Sequence, residues 1–394
     1  MINKAGAYFL ELADAAIHGT LVPAKPDDVS FTDVYNLAVR HSLEALTYLA
    51  VERLENPPSE RIASLWSERF YKSVITETKQ LTAYSQVLEI LEDCGAQVIP
   101  IKGIVLKDYY PEGVMRSMAD VDLFYRHARR DTVHRKMLSH DYAVKSHNSA
   151  NYHDTYENST NISVELHRSL LSKKDRLYTY FEQVWKRAKP TAKGLFEMTP
   201  EDEYLYLIAH QAKHFFESGL GVRPVIDVYL FKRAHNDTLD MKYVRKILGR
   251  AKLLSFEKAL SALADKWFLG VKSEYVNDDI EEFFLACEPH GSSSNLRINL
   301  TQKMLDEGVT LPGAKRKYVL SQFFPSYKTM CSEYKSLSKA PILLPAFWAH
   351  RLFGVIFFEK TSVKKHFINA SKNIGESDER EVDLARRVYG YFID

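Results

Sequence analysis

Two aspartates in the segment ADVDLF (119–124) have the spacing of a metal-binding pair. The polar–apolar alternation predicts a strand in which Asp120 and Asp122 share one face and Val121 and Leu123 share the other. Two carboxylates on one face repel each other unless a cation or a proton lies between them, and oxygen ligands favour Mg²⁺ or Mn²⁺. Two solvated acids on a sheet edge are the simpler interpretation of this pair alone.

A second alternating segment, SVELHRSL (163–170), changes that balance. Glu165 and His167 share one face of the predicted strand. If this strand pairs beside the first, Glu165 completes a three-carboxylate cluster, which can hold two metals roughly 3.5–4 Å apart. The alternative is an edge glutamate beside a stacked histidine. In a cluster, we expect that replacing Asp122 by Asn relieves repulsion and slightly raises the stability of the metal-free protein.

Lys102 and Gly103 end the short β-type run AQVIPI just before a predicted short helix. A glycine at this point lets a phosphate approach the backbone, and a helix N-terminus favours an anion. The lysine adds a positive charge. The sequence has no P-loop pattern, so a Walker-type site is excluded.

Three regions are predicted around these residues. About 90 N-terminal residues are helical and end with a long helix that begins near Pro58 and stops at Gly95. Residues 96–170 form a compact unit of four or five strands with short helices. From about Lys173 the pattern is helical again, with Thr199 as the cap of one helix and Pro200 as its first residue.

Composition limits the classes of function. The 394 residues are 45% hydrophobic and 26% charged with a net charge of +2, as in a globular protein with no bulk attraction to nucleic acid. Three widely spaced cysteines argue against a disulfide framework and favour the cytoplasm. The apolar segment 341–358 is interrupted by Pro345, His350 and Arg351, which favours a buried helix, so no membrane partner is expected.

These pieces occur in an order that resembles a known family. IPIKGIVLKDYYPEGVMRSMADVDLF (99–124), VELHRSL (164–170), AHQAKHFF (209–216) and RPVIDVYLF (223–231) resemble the bacterial uncharacterised nucleotidyltransferase family, within the polymerase-β-like superfamily. One difference is that Ile104 follows Gly103, where the superfamily has Gly or Ser. The resemblance implies an α+β fold, with N-terminal helices (1–94), a nucleotidyltransferase α/β core (95–190) and a larger C-terminal helical domain (191–394).

The resemblance also implies roles for individual residues. It makes Asp120 and Asp122 the metal-binding pair and Glu165 a third acid that binds the second metal or takes the proton of the acceptor. Asp227 would activate the acceptor hydroxyl or orient a histidine, His214. The residues expected at the nucleotide are Lys102, Gly103, Arg116, His167, His210, Lys213 and His214. For Arg116 the alternative is an ion pair that stabilises its loop.

The helix that begins at Pro200 places His210, Lys213 and His214 on one stripe with Tyr206, by i, i+3 and i+4 spacing. The segment HQAKH resembles the zincin motif HExxH, but Gln211 replaces the general-base glutamate, which argues against zinc hydrolysis. In the resembling family this helical domain closes over the nucleotide. The alternative is a partly exposed helix face.

The sequence therefore predicts a nucleotidyltransferase. It would move a nucleoside monophosphate (NMP) from a nucleoside triphosphate (NTP), expected to be ATP, to a hydroxyl of a small molecule or protein, with Mg²⁺ or Mn²⁺ as cofactor. Two alternatives remain open: kinase-like phosphate transfer at the same site, and a non-catalytic helical interaction protein with a retired core.

Overall fold

The computed structural model describes residues 3–147, 152–287, 320, 324–334, 337, 340–357 and 376–392. The chain divides into two compact units, residues 1–291 with 389–394, and residues 292–388. All the segments that carry predicted site residues lie in the first unit. This unit contains the predicted core together with helices on both sides of it, so the predicted division at residues 94 and 190 stays a prediction.

The region before the sheet is helical, as predicted. Its helices are α1 (Lys4–His18), α2 (Phe31–Arg40), α3 (Glu44–Val51) and α4 (Glu60–Asp93). The last of them has 34 residues. It ends where Gly95 takes a φ of 71°, a left-handed conformation that glycine adopts without steric cost. The predicted limits of this helix are thus confirmed to within about two residues.

A seven-stranded mixed sheet follows, in the order β3-β4-β5-β2-β1-β7-β6. The strands are β1 (Gln97–Ile101), β2 (Asp120–Arg126), β3 (Ala143–Ser146), β4 (His153–Glu157), β5 (Ser163–His167), β6 (Lys189–Ala192) and β7 (Leu195–Glu197). Strand β2 pairs with β1 antiparallel and with β5 parallel. The prediction of four or five strands in residues 96–170 is confirmed, since the structure has five there.

The β6–β7 hairpin contradicts the expectation that the chain is helical from about Lys173. Its two strands have four and three residues, too few to show a pattern in the sequence. Strand β7 pairs in parallel with β1 through Val98 and Leu195, and the Val98 N–H donates to the Gly194 carbonyl at 2.8 Å. The hairpin therefore depends on pairing with a strand about 100 residues earlier in the chain, which local patterns do not reveal.

The two faces of the sheet have different surroundings. The apolar side chains of the central strands, such as Val121, Leu123 and Val164, are fully buried with residues of α4 and of α6 (Arg130–Ser139). The opposite face carries Asp120 and Asp122 with the polar side chains of β5. Since strand side chains alternate, burying one apolar face directs the acids to the other face.

Helices cover the rest of the first unit: α5 (Gly103–Leu106) after β1, then α7 (Tyr178–Phe181), α8 (Pro200–Ser218), α9 (Val222–Ala234), α10 (Met241–Arg250), α11 (Leu254–Leu269) and α12 (Asp278–Ala286). Helix α8 begins as predicted, because the Thr199 side chain accepts from the Asp202 N–H at 3.2 Å. It buries Leu205, Ile208, Ala212 and Phe215.

Other described helices are Tyr327–Glu333, Leu344–Phe357 and Glu376–Tyr391. The apolar segment near residue 345 is helical as expected, but residues 341–350 are exposed or half-buried, contrary to the expected buried helix. Within the described ranges, no helix combines the length and the apolar character needed to cross a membrane.

His41 links α2 to later helices and makes stability depend on pH. It is fully buried, its Nε2 lies 3.1 Å from the Leu285 carbonyl oxygen, and its Nδ1 accepts from the Val222 N–H at 3.3 Å. The ring is therefore neutral with a proton on Nε2, and burial is the main reason that its pKa falls to about 3.

We predict that replacing His41 by Gln flattens the pH dependence of unfolding. Below pH 6.5 the unfolded chain binds a proton at this residue, whereas the folded chain does so only near pH 3. The free energy of unfolding therefore falls by about 1.4 kcal/mol per pH unit as pH decreases through that window. Urea unfolding at several pH values measures the slope. His140→Gln, at the exposed end of α6, is the control, and equal slopes in His41→Gln and wild type would contradict the prediction.

Candidate active site

The register of β2 and β5 brings three acids together. Asp122 is paired with Glu165 and Asp120 with Ser163, so the two strands present their acids side by side. Asp120, Asp122 and Glu165 each offer an oxygen, and these oxygens lie within 4.8 Å of one another. This separation is small enough for the carboxylates to share one or two cations.

Helix α8 forms the opposite wall of a cavity of about 510 Å³ above these acids. The wall includes the predicted stripe of Tyr206, His210, Lys213 and His214, which faces the cavity. Tyr206 is 3% exposed, and its hydroxyl has no hydrogen-bond partner within the described part of the chain. The burial of the apolar face of α8 thus turns its polar stripe toward the carboxylates.

Lys102 lies within the acid cluster. Its Nζ is 2.6 Å from Asp122 Oδ1 and 3.5 Å from Glu165 Oε2. Burial opposes the charge of this ammonium, but the neighbouring carboxylates raise its pKa well above the ordinary value. The residue has a φ of 59° and a ψ of −128°, a conformation that costs a non-glycine residue about 1–3 kcal/mol. The turn between β1 and α5 thus holds a permanent positive charge beside the acids.

His167 supports the same two carboxylates. Its Nε2 lies 2.8 Å from Asp122 Oδ1 and 3.2 Å from Glu165 Oε2, and the ring is almost fully buried. Burial acts to raise the pKa of both acids, but Lys102 and His167 together hold both values below the ordinary range. Asp122 and Glu165 are therefore ionised and stabilised in the metal-free protein.

Asp120 is in a different electrostatic position. The pKa of Asp120 is raised to about 7, mainly by burial and to a smaller extent by the charges of Asp122 and Glu165. Repulsion within the cluster therefore falls on Asp120, whereas Asp122 is paired with Lys102 and His167. This distribution argues against the expectation that loss of the Asp122 charge stabilises the metal-free protein, and the stability of that variant stays a prediction.

Arg116 and Asp227 form a buried ion pair at the edge of the cavity. Arg116 Nε donates to Oδ1 at 2.7 Å and Nη2 donates to Oδ2 at 2.9 Å, while the Tyr110 hydroxyl donates to Oδ1 at 2.9 Å. Of the two interpretations of Arg116, the structure contains the ion pair, which ties the loop before β2 to α9. The Asp227 carboxylate faces this arginine and tyrosine.

Gly103 is required by packing. A Cβ added there would lie 2.8 Å from Met118 Cβ and 3.1 Å from Arg116 Nη1. The group that approaches the Gly103 backbone closely is thus the loop that leads into β2.

His153 and Glu203 are among the cavity-lining residues that were not identified from the sequence. His153 of β4 lies opposite His167 of β5, and the two rings are 5.0 Å apart. Glu203 accepts a hydrogen bond from the Tyr109 hydroxyl at 3.1 Å, and burial is the main cause that raises its pKa to about 7. Alternation in YHDTYE would have indicated His153, and the helical phase of Tyr206 would have indicated Glu203, one turn earlier.

In a comparison with protein-family models, residues 27–269 match a family described as Uncharacterised nucleotidyltransferase. The chain belongs to this family. No curated protein and no solved structure gives a significant match. The match extends from α2 to α11 and contains all seven strands and the cavity. Membership of the family supports a nucleotidyl-transfer reaction in general terms, whereas the predicted bacterial origin and the superfamily signature stay predictions.

We predict opposite effects on stability from the two aspartates. At pH 8 in EDTA, Asp120→Asn should stabilise the protein by roughly 1–4 kcal/mol, since a carboxyl with a raised folded-state pKa destabilises the fold progressively as pH rises through about 7. Asp122→Asn should destabilise it, because Lys102 and His167 lose their shared partner. Urea unfolding measures both, and shifts in the same direction would refute this assignment.

Proposed function

We propose that the protein transfers an NMP from an NTP to an acceptor hydroxyl, with pyrophosphate as the second product. The main observation in support is that Asp120, Asp122 and Glu165 converge at a cavity whose opposite wall carries Lys213 and two histidines. Membership of the nucleotidyltransferase family gives this arrangement its general chemistry.

The acid cluster has the composition of a site for Mg²⁺ or Mn²⁺. Its three carboxylates offer hard oxygen ligands. Burial, and after it the charges of Asp122 and Glu165, raise the pKa of Asp120 to about 7. The Tyr206 hydroxyl, buried and without a partner in the described ranges, lines the same cavity. Divalent cations, when bound, would stabilise the attacking and leaving oxygens of the displacement.

The stripe on α8 is suited to the phosphates of the nucleotide. Lys213 is half-buried beside the Tyr152 ring, with its Nζ 3.5 Å from the Tyr152 hydroxyl. Burial acts to lower the pKa of Lys213, but interactions with neighbouring groups keep it above the ordinary value, and the interaction with Tyr152 is the largest of these. Burial is the main cause that lowers the pKa of His214 to about 4, so this ring is neutral at pH 7. Lys213 therefore supplies charge, and the neutral imidazole of His214 supplies a hydrogen bond.

In the proposed reaction, the acceptor oxygen forms a bond to the α-phosphorus. The bond from the α-phosphorus to the bridging oxygen breaks, and pyrophosphate leaves with that electron pair. The acceptor proton passes to a carboxylate of the cluster.

We assign Arg116 and Asp227 to positioning, because their ion pair connects the loop before β2 to α9. The apolar part of the cavity, which includes Leu195 and Met198, is the expected acceptor side.

Product analysis tests this function. The full chain is incubated with Mg²⁺ and ATP labelled at the α- or the γ-phosphate, with itself and a fractionated metabolite extract as acceptors. We predict that the α-label is transferred with release of pyrophosphate, and that Asp122→Asn reduces transfer at least 100-fold while circular dichroism shows a folded protein. Transfer of the γ-label would establish kinase chemistry instead. If the protein neither transfers a label nor binds nucleotide, the result would favour a non-catalytic protein.

A second prediction concerns Lys213. Replacement by Ala should weaken Mg²⁺–ATP binding about tenfold, since a charged hydrogen bond contributes roughly 1.5–3 kcal/mol. The melting temperature should change little, because the ammonium is half-buried and lies 3.5 Å from the Tyr152 hydroxyl. Calorimetry measures both quantities. Lys136→Ala, exposed on α6, is the matched control, and equal affinities in both variants would limit the nucleotide site to the sheet side of the cavity.

A further inference from the structure

A second group of metal-binding side chains adjoins the three acids. His153, Glu165 and His167 each offer a ligand atom, and these atoms lie within 4.8 Å of one another. The two histidines are directly opposite each other on β4 and β5. Glu165 precedes His167 by two residues on β5 and lies on the same face of the strand. Glu165 therefore belongs to both groups, one made only of oxygens and the other made of two nitrogens and an oxygen.

We propose that His153, Glu165 and His167 form a second cation position that takes a transition-metal dication such as Mn²⁺, Co²⁺ or Zn²⁺. The aspartate pair would form the position for Mg²⁺, with Glu165 bridging the two. This inference rests on the proposed function, to which it adds a preference for a mixed pair of metals. Imidazole nitrogen with carboxylate is a donor set that suits first-row transition metals, whereas Mg²⁺ favours oxygen.

The distances between donor atoms support a shared cation. His153 Nε2 lies 3.6 Å from Glu165 Oε1, and His167 Nε2 lies 3.2 Å from Glu165 Oε2. Ligands at about 2.0–2.1 Å from a tetrahedral metal are separated by roughly 3.3 Å. The first distance is too long for a hydrogen bond. The approach of His153 to Glu165 thus has the spacing of two ligands of one ion.

The remaining imidazole nitrogens give an independent observation. Within the described ranges, Nδ1 of both histidines is buried and has no hydrogen-bond partner. His167 is 1% exposed, so its ring is ordered by packing and by its Nε2 contacts with two carboxylates. The His153 ring is half-buried and the His167 ring is buried, and both direct Nε2 at Glu165. A cation at this position would replace the Nε2 proton that His167 donates to the carboxylates, and each ring would then carry its proton on Nδ1, the tautomer in which Nε2 is a metal ligand.

Lys102 limits where the cation can bind. Its ammonium approaches Glu165 at Oε2, whereas His153 approaches at Oε1. The Oε1 side, beside His153, is therefore the side on which a dication lies farther from the ammonium.

Cobalt binding tests this position without any assay of activity. Full-length protein, freed of metal and of any purification tag, is titrated with Co²⁺ in the presence of excess Mg²⁺, and the visible d–d absorption is recorded. We expect wild type to bind Co²⁺ with an intense band. His153→Gln should raise the dissociation constant tenfold or more. His140→Gln, exposed at the end of α6, should bind like wild type.

The outcomes separate this inference from the proposed function. Absence of a Co²⁺ band in wild type, or equal affinity in His153→Gln and wild type, would overturn the second position, and Mg²⁺-dependent nucleotide binding could still be intact. Asp120→Asn should keep the Co²⁺ band, since Asp120 is not a ligand of this position. A Co²⁺ site that depends on His153, in a protein that transfers no nucleotide, would support the second position and reject the proposed function.

Discussion

The arrangement of the site depends on the repulsion among three carboxylates held on one face of a buried sheet. Water would screen such charges at a surface, but here α8 covers them, and burial raises the cost of each charge. The three acids differ in how far neighbouring positive groups offset this cost. Lys102 and His167 stabilise Asp122 and Glu165, while Asp120 has a pKa near 7. This imbalance leaves one side of the cluster suited to an added cation.

The fold holds these groups through contacts that have other structural roles. The parallel pairing of β2 with β5 sets Asp122 beside Glu165, and the antiparallel pairing of β1 with β2 ends at Ile101, so Lys102 follows directly at the level of Asp122. The left-handed backbone at Lys102 is a strained conformation that the surrounding strand pairing and helix must maintain. The Arg116–Asp227 pair then fixes the loop that leads into the first aspartate.

Local periodicity could predict the acids but not their partners. Alternation in β2 and β5 places Asp120, Asp122 and Glu165 on one face, and the helical phase set by Thr199 orients α8 correctly. The pairing of Lys102 with Asp122 depends on a turn conformation that residue types do not specify. The β6–β7 hairpin and the Arg116–Asp227 pair, whose residues are 111 positions apart, depend on tertiary contacts. Sequence patterns therefore indicated which residues carry charge, whereas folding decided which of those charges are already neutralised.

That distinction determines how the site residues should be interpreted. Arg116 and Lys102 both looked like phosphate ligands, yet each is engaged by a carboxylate, which leaves Lys213 as the stripe residue whose charge faces the cavity from α8. A triphosphate bound there would bring its negative charge toward the acids across the cavity. Bringing the two together requires cations between them, because like charges in a partly buried space repel strongly. The electrostatics of the two walls thus favour binding of metal and nucleotide together over binding of either alone.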